Sequence, residues 1–284
     1  YVFGQNLVLT ATQHLISQTT EFYNPPRFPW LPASPQGRRS YSEQSPRVGF
    51  RWHPLSFATV KGNFGRYVRQ PTMLELFGNT GSITGSADLV PERGENRDIG
   101  ILLSADRIGP LRGAFLEVVY LHNDVDDLIL FFPNSQYTSR PQNINSARIR
   151  GWEVSFSTQW REWLRVAGNY TYLDSRDTGP IPYYYGNRLP GRPLHDAALF
   201  VDTMWRRWRL SYELHRIGSN YLDPANFGLV PAREIHNLAL RAALSSDVLS
   251  ATAGVTNLGG NQIRDVDGFP LPGRSFYVTL SFHP

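Results

Sequence analysis

Seven histidines are the first place to look for chemistry: His14, His53, His122, His195, His215, His236 and His283. No two stand at the spacing that binds zinc from one helix face, with a glutamate between them as base. They are read as wet strand or interface positions. The chain has no cysteine, which removes disulfides, thiolate metal sites and thiol nucleophiles. Gly78-Asn-Thr-Gly-Ser-Ile-Thr-Gly-Ser86 is glycine-rich. It lacks the lysine and the following helix of a phosphate loop, so it reads as an external loop. Asp124, Asp126 and Asp127, and again Asp265 and Asp267, offer carboxylates to calcium. Neither group has the full spaced ligand set of a calcium loop, and both read as solvated loops. No nucleophile elbow and no catalytic carboxylate pair stands out. The sequence predicts no catalytic residue, no metal site and no cofactor, and it points away from an enzyme.

Aromatic side chains offer flat contact area, and arginine's planar fork suits anionic oxygens. The residues of this kind in polar, turn-rich connections are Phe28, Trp30, Arg38, Arg39, Tyr137, Arg140, Tyr183, Tyr184, Tyr185, Arg188 and Tyr221. They are the candidate ligand-binding set.

The elements that must carry them are strands. In Ser275–Phe282, Phe276, Val278, Leu280 and Phe282 alternate with Ser275, Tyr277, Thr279 and Ser281. Successive strand side chains point to opposite faces, so one face meets oil and the other water. About twelve segments read as strands by period-two alternation and bounding turn residues. They are 6–17, 47–53, 57–67, 97–105, 113–130, 147–158, 164–174, 197–204, 207–217, 235–244, 248–257 and 275–282. The fourth alternates poorly, because Ile101, Leu102 and Leu103 run together.

The connections alternate strictly between short and long. Short ones lie near 53–56, 106–111, 159–163, 205–206 and 245–247. Long ones are 19–45, 68–96, 131–145, 175–195, 218–233 and 258–274. A transmembrane β-barrel shows this asymmetry, with short periplasmic turns and longer extracellular loops. Trp52, Trp160, Trp163, Trp205 and Trp208 cluster at the short turns. Tryptophan suits the membrane–water boundary, so these five are the expected aromatic girdle.

Composition agrees. The 284 residues are 41% hydrophobic and 18% charged, with a net charge of +4. No run of about eighteen apolar residues exists, so a membrane helix is excluded, although a barrel is not. Lysine appears only at Lys61, and no basic block exists. Nucleic acid is therefore not an expected partner.

Four segments, in order, resemble the C-terminal half of TonB-dependent outer-membrane receptors. The first is Gly62-Asn-Phe-Gly-Arg-Tyr-Val-Arg-Gln-Pro-Thr-Met-Leu-Glu-Leu-Phe77 with Leu89-Val-Pro-Glu-Arg-Gly-Glu95 and Gly100. The second is Asp126-Asp-Leu-Ile129 with Asn145-Ser-Ala-Arg-Ile-Arg-Gly-Trp-Glu153. The third is Asn169-Tyr-Thr-Tyr-Leu-Asp174 with Leu189-Pro-Gly-Arg-Pro193. The fourth is Val255-Thr-Asn-Leu258 with Pro272-Gly-Arg274 and the final aromatic strand. Pro71, Gly151 and Gly273 of these motifs also have plain backbone explanations.

The resemblance implies an all-β fold: an antiparallel transmembrane barrel with about twelve strands present, part of a barrel of about 22 strands. It implies that residues 1–284 are the C-terminal portion of that barrel, with the family's plug domain and coupling box outside this chain. It implies TonB-coupled uptake of a bulky, scarce nutrient, a ferric siderophore first, with cobalamin, haem or a glycan next. The implied location is the bacterial outer membrane. The implied partners are outer-membrane lipid and lipopolysaccharide, the TonB–ExbB–ExbD complex acting through the plug, and a small-molecule or metal-chelate ligand. A passive twelve-stranded pore and a soluble β-sandwich are the competing readings.

Overall fold

The computed structural model describes the chain except residues 1, 4–5, 23–36, 80, 134–137, 246–247, 263, 267–268 and 283–284. For 2–3, 22, 37, 39, 133, 144–145, 245, 264–266 and 269–270 it describes backbone alone. The elements in chain order are β1 (Val2–Phe3), β2 (Leu7–Phe22), β3 (Gly37–Leu55), β4 (Ala58–Arg69), α1 (Met73–Phe77), β5 (Glu92–Ile108), β6 (Leu111–Pro133), β7 (Ser139–Trp160) and β8 (Leu164–Asp177). There follow β9 (His195–Trp205), β10 (Trp208–Ile217), β11 (Asn220–Tyr221), β12 (Leu229–Val230), β13 (Arg233–Ser245), β14 (Leu249–Thr256), β15 (Arg264–Val266), β16 (Phe269–Pro270) and β17 (Ser275–Phe282).

Thirteen strands form one sheet in the order β1 to β10, β13, β14, β17, and each pairs antiparallel with its sequence neighbours in that order. The twelve segments expected from alternation are all in it; β1 is the addition. The pairs β11–β12 and β15–β16 are small ribbons inside long connections. Among the described residues no pairing joins β1 to β17.

Register makes the two faces legible, because directly paired residues share a face. One row runs Phe50–Gly62–Ile99–Tyr120–Trp152–Tyr172 from β3 to β8. The next runs Trp52–Val60–Ile101–Val118–Val154–Tyr170. Further along, Tyr212 pairs with Val201 and Leu238, and Leu238 pairs with Val255, which meets Phe276. These rows are apolar across the whole sheet. They are also bare: Phe276, Val278, Leu280 and Phe282 are 66–78% exposed. An exposed apolar surface of this extent far exceeds what a soluble monomer shows and marks a face that something oily covers.

The opposite face is polar. Arg51 pairs with Lys61, Lys61 with Gly100, and Asn63 with Gly49 and Asp98. Thr279 pairs with Thr252, Thr252 with Arg241, and Arg241 with Arg209. Lys61 Nζ lies 2.5 Å from Glu117 Oε1. The Ile101–Leu102–Leu103 run is resolved by this geometry. Ile101 and Leu103 join the apolar rows, while Leu102 turns to the polar face opposite Thr59 and Glu117.

The short and long connections alternate as expected, but the strands reach further into the long ones. β3 begins at Gly37, and β6 and β7 leave only 134–138 between them. Arg38, Arg39 and Arg140, expected in loops, therefore lie on strands β3, β3 and β7. The reason is physical: beyond the apolar rows both faces of a hairpin are wet. The alternation that reveals a strand vanishes there, while its ladder of hydrogen bonds continues.

The described buried apolar clusters sit at the long-loop end, not between layers. Val125, Leu128, Ala147, Ile149 and Leu189 form one; Leu76, Leu89 and Ile129 form the other. They anchor connections 178–194 and 70–91 onto the extended strands.

Candidate functional site

The stretch after β4 builds a bracket. Thr72 caps α1: its Oγ1 accepts from Glu75 N–H at 3.3 Å, and Glu75 Oε2 accepts from Thr72 N–H at 2.7 Å. This is a capping box, and Gly78 closes the helix at φ 73°. Arg69 then donates to Glu75 at 3.0 and 3.1 Å and from Nε to Glu92 at 2.6 Å. Glu92 also accepts the Ile129 amide at 2.7 Å. Burial opposes the Glu75 charge, but the Arg69 and Thr72 hydrogen bonds outweigh it and hold the carboxyl below its usual range. This bracket is architecture: it fixes the root of connection 70–91. Pro71 sits buried just past the end of β4, where its missing N–H breaks no ladder. The glycine-rich 78–86 segment continues the same docking. Thr84 N–H donates to Ser139 O at 2.9 Å, and Ser139 N–H donates to Ser82 O at 2.7 Å.

Two of the five aspartates, Asp124 and Asp127, are engaged as well; Asp267 lies outside the described residues, and Asp265 is described by its backbone alone. Asp124 accepts from Arg148 at 2.8 Å and lies 2.8 Å from His122 Nε2; Asp127 lies 3.4 Å from Arg93. Gly151 carries a backbone requirement, because a Cβ there meets Tyr172 O at 2.0 Å. Gly273 has no neighbour within 4 Å of such a Cβ.

Part of the expected ligand set comes together. Connections 178–194 and 218–232 interlock through Asn226, which sits at φ 61°. Its Oδ1 accepts from Arg188 N–H and its Nδ2 donates to Arg188 O, both at 2.9 Å. Asn187 Nδ2 donates to Pro224 O at 3.0 Å, and Gly191 N–H donates to Tyr221 O at 2.8 Å. Tyr183 packs edge-on to Tyr184 at 5.2 Å and lies 6.3 Å from Phe227. Tyr183, Tyr185 and Phe227 are 59, 65 and 79% exposed, with Ile181 and Leu222 also open. The result is a wet aromatic platform at the long-loop end, on a tightly hydrogen-bonded base.

Tyr183, Tyr184, Tyr185, Arg188 and Tyr221 thus belong to this pair of loops. Arg38, whose guanidinium lies 3.8 Å from Glu21, is on the β2–β3 hairpin. Arg39 is on the same hairpin, and Arg140 pairs with Phe132 on the β6–β7 hairpin. Phe28, Trp30 and Tyr137 lie outside the described residues. Phe227 escaped the sequence reading; its signal was an aromatic inside the turn Asp223-Pro-Ala-Asn-Phe-Gly228.

At the other end, Trp160 and Trp208 close the ladders next to the turns, paired with Leu164 and Trp205. Arg206 and Arg207 lie over the rings of Trp205 and Trp208 at 5.1 and 5.6 Å. Trp52 stands in an apolar row between Leu7 and Val60, and Trp163 lies in the turn itself. All five tryptophans are exposed at the short-turn end. A second aromatic line was not foreseen: Tyr120 meets Trp152 at 4.9 Å, and Tyr170 and Tyr212 lie 2.8 Å from Nδ1 of His195 and His236. From Trp160 to Trp152 along β7 is about 27 Å of strand. At a tilt of about 40° that spans about 20 Å, close to the apolar band of such barrels.

A single antiparallel sheet with one apolar exposed face, one polar face and all long loops at one end defines an outer-membrane β-barrel protein. Residues 16–258 match the family model "TonB dependent receptor-like, beta-barrel", and the chain belongs to that family. It is similar to the iron-regulated outer membrane virulence protein of Vibrio cholerae, 28% identical over 268 residues, covering 84% of this chain and 39% of that protein. Among solved structures it resembles the copper transporter OprC, with TM-score 0.77, 18% identity, and coverage of 99% of this chain and 46% of that one. It likewise resembles the siderophore receptor PiuA from Acinetobacter baumannii, with TM-score 0.78, 15% identity, and coverage of 98% and 41%. The chain thus spans less than half the length of each. The protein resides in the bacterial outer membrane, with its apolar rows toward lipid.

Proposed function

We propose that this chain is the C-terminal portion of the barrel wall of a TonB-coupled receptor that imports a bulky, scarce nutrient, with a ferric siderophore as the leading ligand. The polar face lines a water-filled lumen, and the remaining strands of an approximately 22-stranded barrel and a plug domain complete it. Energy enters through the plug from the TonB–ExbB–ExbD complex. Trp52, Trp160, Trp163, Trp205 and Trp208 form the periplasmic girdle. The observation that carries the ligand reading is the aromatic group of Tyr183, Tyr184 and Phe227, with Arg188 in the same connection as the two tyrosines. Aromatic faces and guanidinium groups fit a flat, oxygen-rich chelate. The similarity to the iron-regulated outer membrane virulence protein of Vibrio cholerae supports the same choice.

The test is uptake of labelled ferric siderophores under iron limitation, in cells with and without the full-length protein and with and without TonB. The reading expects uptake that needs both. Equal uptake without TonB would show a passive pore. Wild-type affinity in both Tyr183→Ala and Phe227→Ala would remove this loop pair from the ligand site.

A further inference from the structure

Alternation decides which face of a strand meets lipid, but it leaves register open. Sliding a strand past its neighbour by two residues returns every side chain to its own face, because the side-chain period is two. A tight turn forbids that slip; a long connection does not. β4 and β5 are joined through 70–91, and β14 and β17 through 257–274. In both pairs a tyrosine on the polar face stands directly opposite a glycine, Tyr67 opposite Gly94 and Tyr277 opposite Gly254. In both, the ring fills the space that a Cβ on the glycine would take, and its Cε1, Cζ and hydroxyl would all collide with one. The Tyr67 hydroxyl, having crossed β5, accepts from Asn123 Nδ2 on β6 at 3.1 Å.

The apolar face repeats the fit. Phe50 stands directly opposite Gly62, and Phe156 opposite Gly168; a Cβ on these glycines would fall 2.6 and 2.9 Å from ring carbons. Glycine inside a strand is a cost unless its missing side chain is used, and here an aromatic neighbour uses it. A two-residue slip removes the fit. Tyr277 then stands opposite Thr252 or Thr256, and Tyr67 opposite Glu92 or Asn96, each with a Cβ in the ring's place. Nothing in the outward row opposes the slip, since Val278 then meets Ala251 or Val255 in place of Ala253.

We propose that Tyr67 on Gly94 and Tyr277 on Gly254 fix the register of these two strand pairs. They exclude the two-residue slip that hydrophobic patterning and a long connection leave open. The four are positioning residues: they act on the sheet, and the transported molecule need not touch them. The inference rests on the pairing of the sheet and is independent of the ligand reading for the loops.

The test uses the full-length protein folded into lipid vesicles, in a background with no other cysteine. Thr252→Cys/Thr279→Cys reports the native register, since these residues pair directly. Thr252→Cys/Ser281→Cys and Ser250→Cys/Thr279→Cys report the two slipped registers. Disulfide formation in each, after oxidation, gives the slipped fraction. Tyr277→Ser is expected to raise that fraction roughly fivefold, and Gly254→Ala to do the same. Tyr277→Phe, which keeps the ring, is expected to leave it at the wild-type level. Gly254→Ala added to Tyr277→Ser is expected to raise it no further. At β4–β5, Tyr67→Ser is read in the same way by Asn63→Cys with Asp98→Cys for the native pair or Gly100→Cys for a slipped one. An unchanged slipped fraction in Tyr277→Ser and Tyr67→Ser overturns the proposal. So does a Tyr277→Phe variant that slips as far as Tyr277→Ser. Should Gly254→Ala fail to fold, the comparison of Tyr277→Ser with Tyr277→Phe decides the matter.

Discussion

Arg69 holds Glu75 by two parallel hydrogen bonds of 3.0 and 3.1 Å, and its third reach, to Glu92 at 2.6 Å, ties the helix root to β5. Glu75 and Glu92 are nearly fully buried. Removing the cation leaves both without their main partner. Arg69→Met is expected to loosen connection 70–91 by on the order of 2 kcal/mol, since charge-assisted bonds exceed neutral ones. Hydrogen exchange at the amides of Leu76, Gly78 and Ser86 reads this directly. Unchanged protection would show that the Leu76–Leu89–Ile129 cluster alone holds the loop.

The same pair sets a pH dependence. The Glu75 carboxyl is held below its ordinary value by Arg69 and Thr72, against the opposing effect of burial. A depressed carboxylate contributes stability that is complete above its unfolded value of about 4.3 and is lost as pH falls through the folded value. Docking of α1 is expected to be constant from pH 8 to about 5 and to weaken below about 4. Hydrogen exchange or loop fluorescence across that range checks the sign; weakening on the alkaline side would contradict it.

The two faces predict opposite tolerance of charge. Val118 stands in the apolar row between Ile101 and Val154, and Ser155 stands on the polar face between Glu117 and Asn169. Val118→Arg is expected to cost about 2–4 kcal/mol of folding free energy in lipid vesicles, and Ser155→Arg little. Denaturant titrations of the full-length protein in vesicles give both numbers. Equal costs would contradict the assignment of faces.

Asn226 predicts how the platform is held. It supplies two 2.9 Å bonds to the Arg188 backbone from a left-handed conformation that asparagine tolerates well. Asn226→Ala removes both and keeps the strain. It is expected to lower ligand affinity about tenfold without touching ligand, through loss of order in both loops. Limited proteolysis within 178–194 should rise in parallel; unchanged cleavage and affinity would show that the loops are held elsewhere.

The sheet was legible in the sequence because lipid on one side and water on the other write themselves as alternation. Phe276 to Phe282 and Trp152 to Phe156 show it directly. The strand extensions around Gly37, Pro133 and Ser139 were not legible, since wet hairpins carry no alternation. The Arg69 bracket was visible as a motif but not as an ion cluster, because Glu92 lies 23 residues away in sequence. The platform was half legible: Tyr183, Tyr184 and Tyr185 announce themselves as a run. Phe227 joins them only through the Asn226 contacts between two loops, and spacing along one chain does not encode those.

Which face of the sheet meets hydrocarbon is directly measurable. The chain contains no cysteine, so single cysteines placed one at a time from 150 to 159 along β7 can each carry a spin label. In vesicles, collision with oxygen, which concentrates in lipid, and with a water-soluble nickel chelate then reports the surroundings of each site. The prediction is a period of two, with positions 152, 154 and 156 favouring oxygen and 153, 155 and 157 favouring nickel. A flat profile, or the reverse phase, would contradict it.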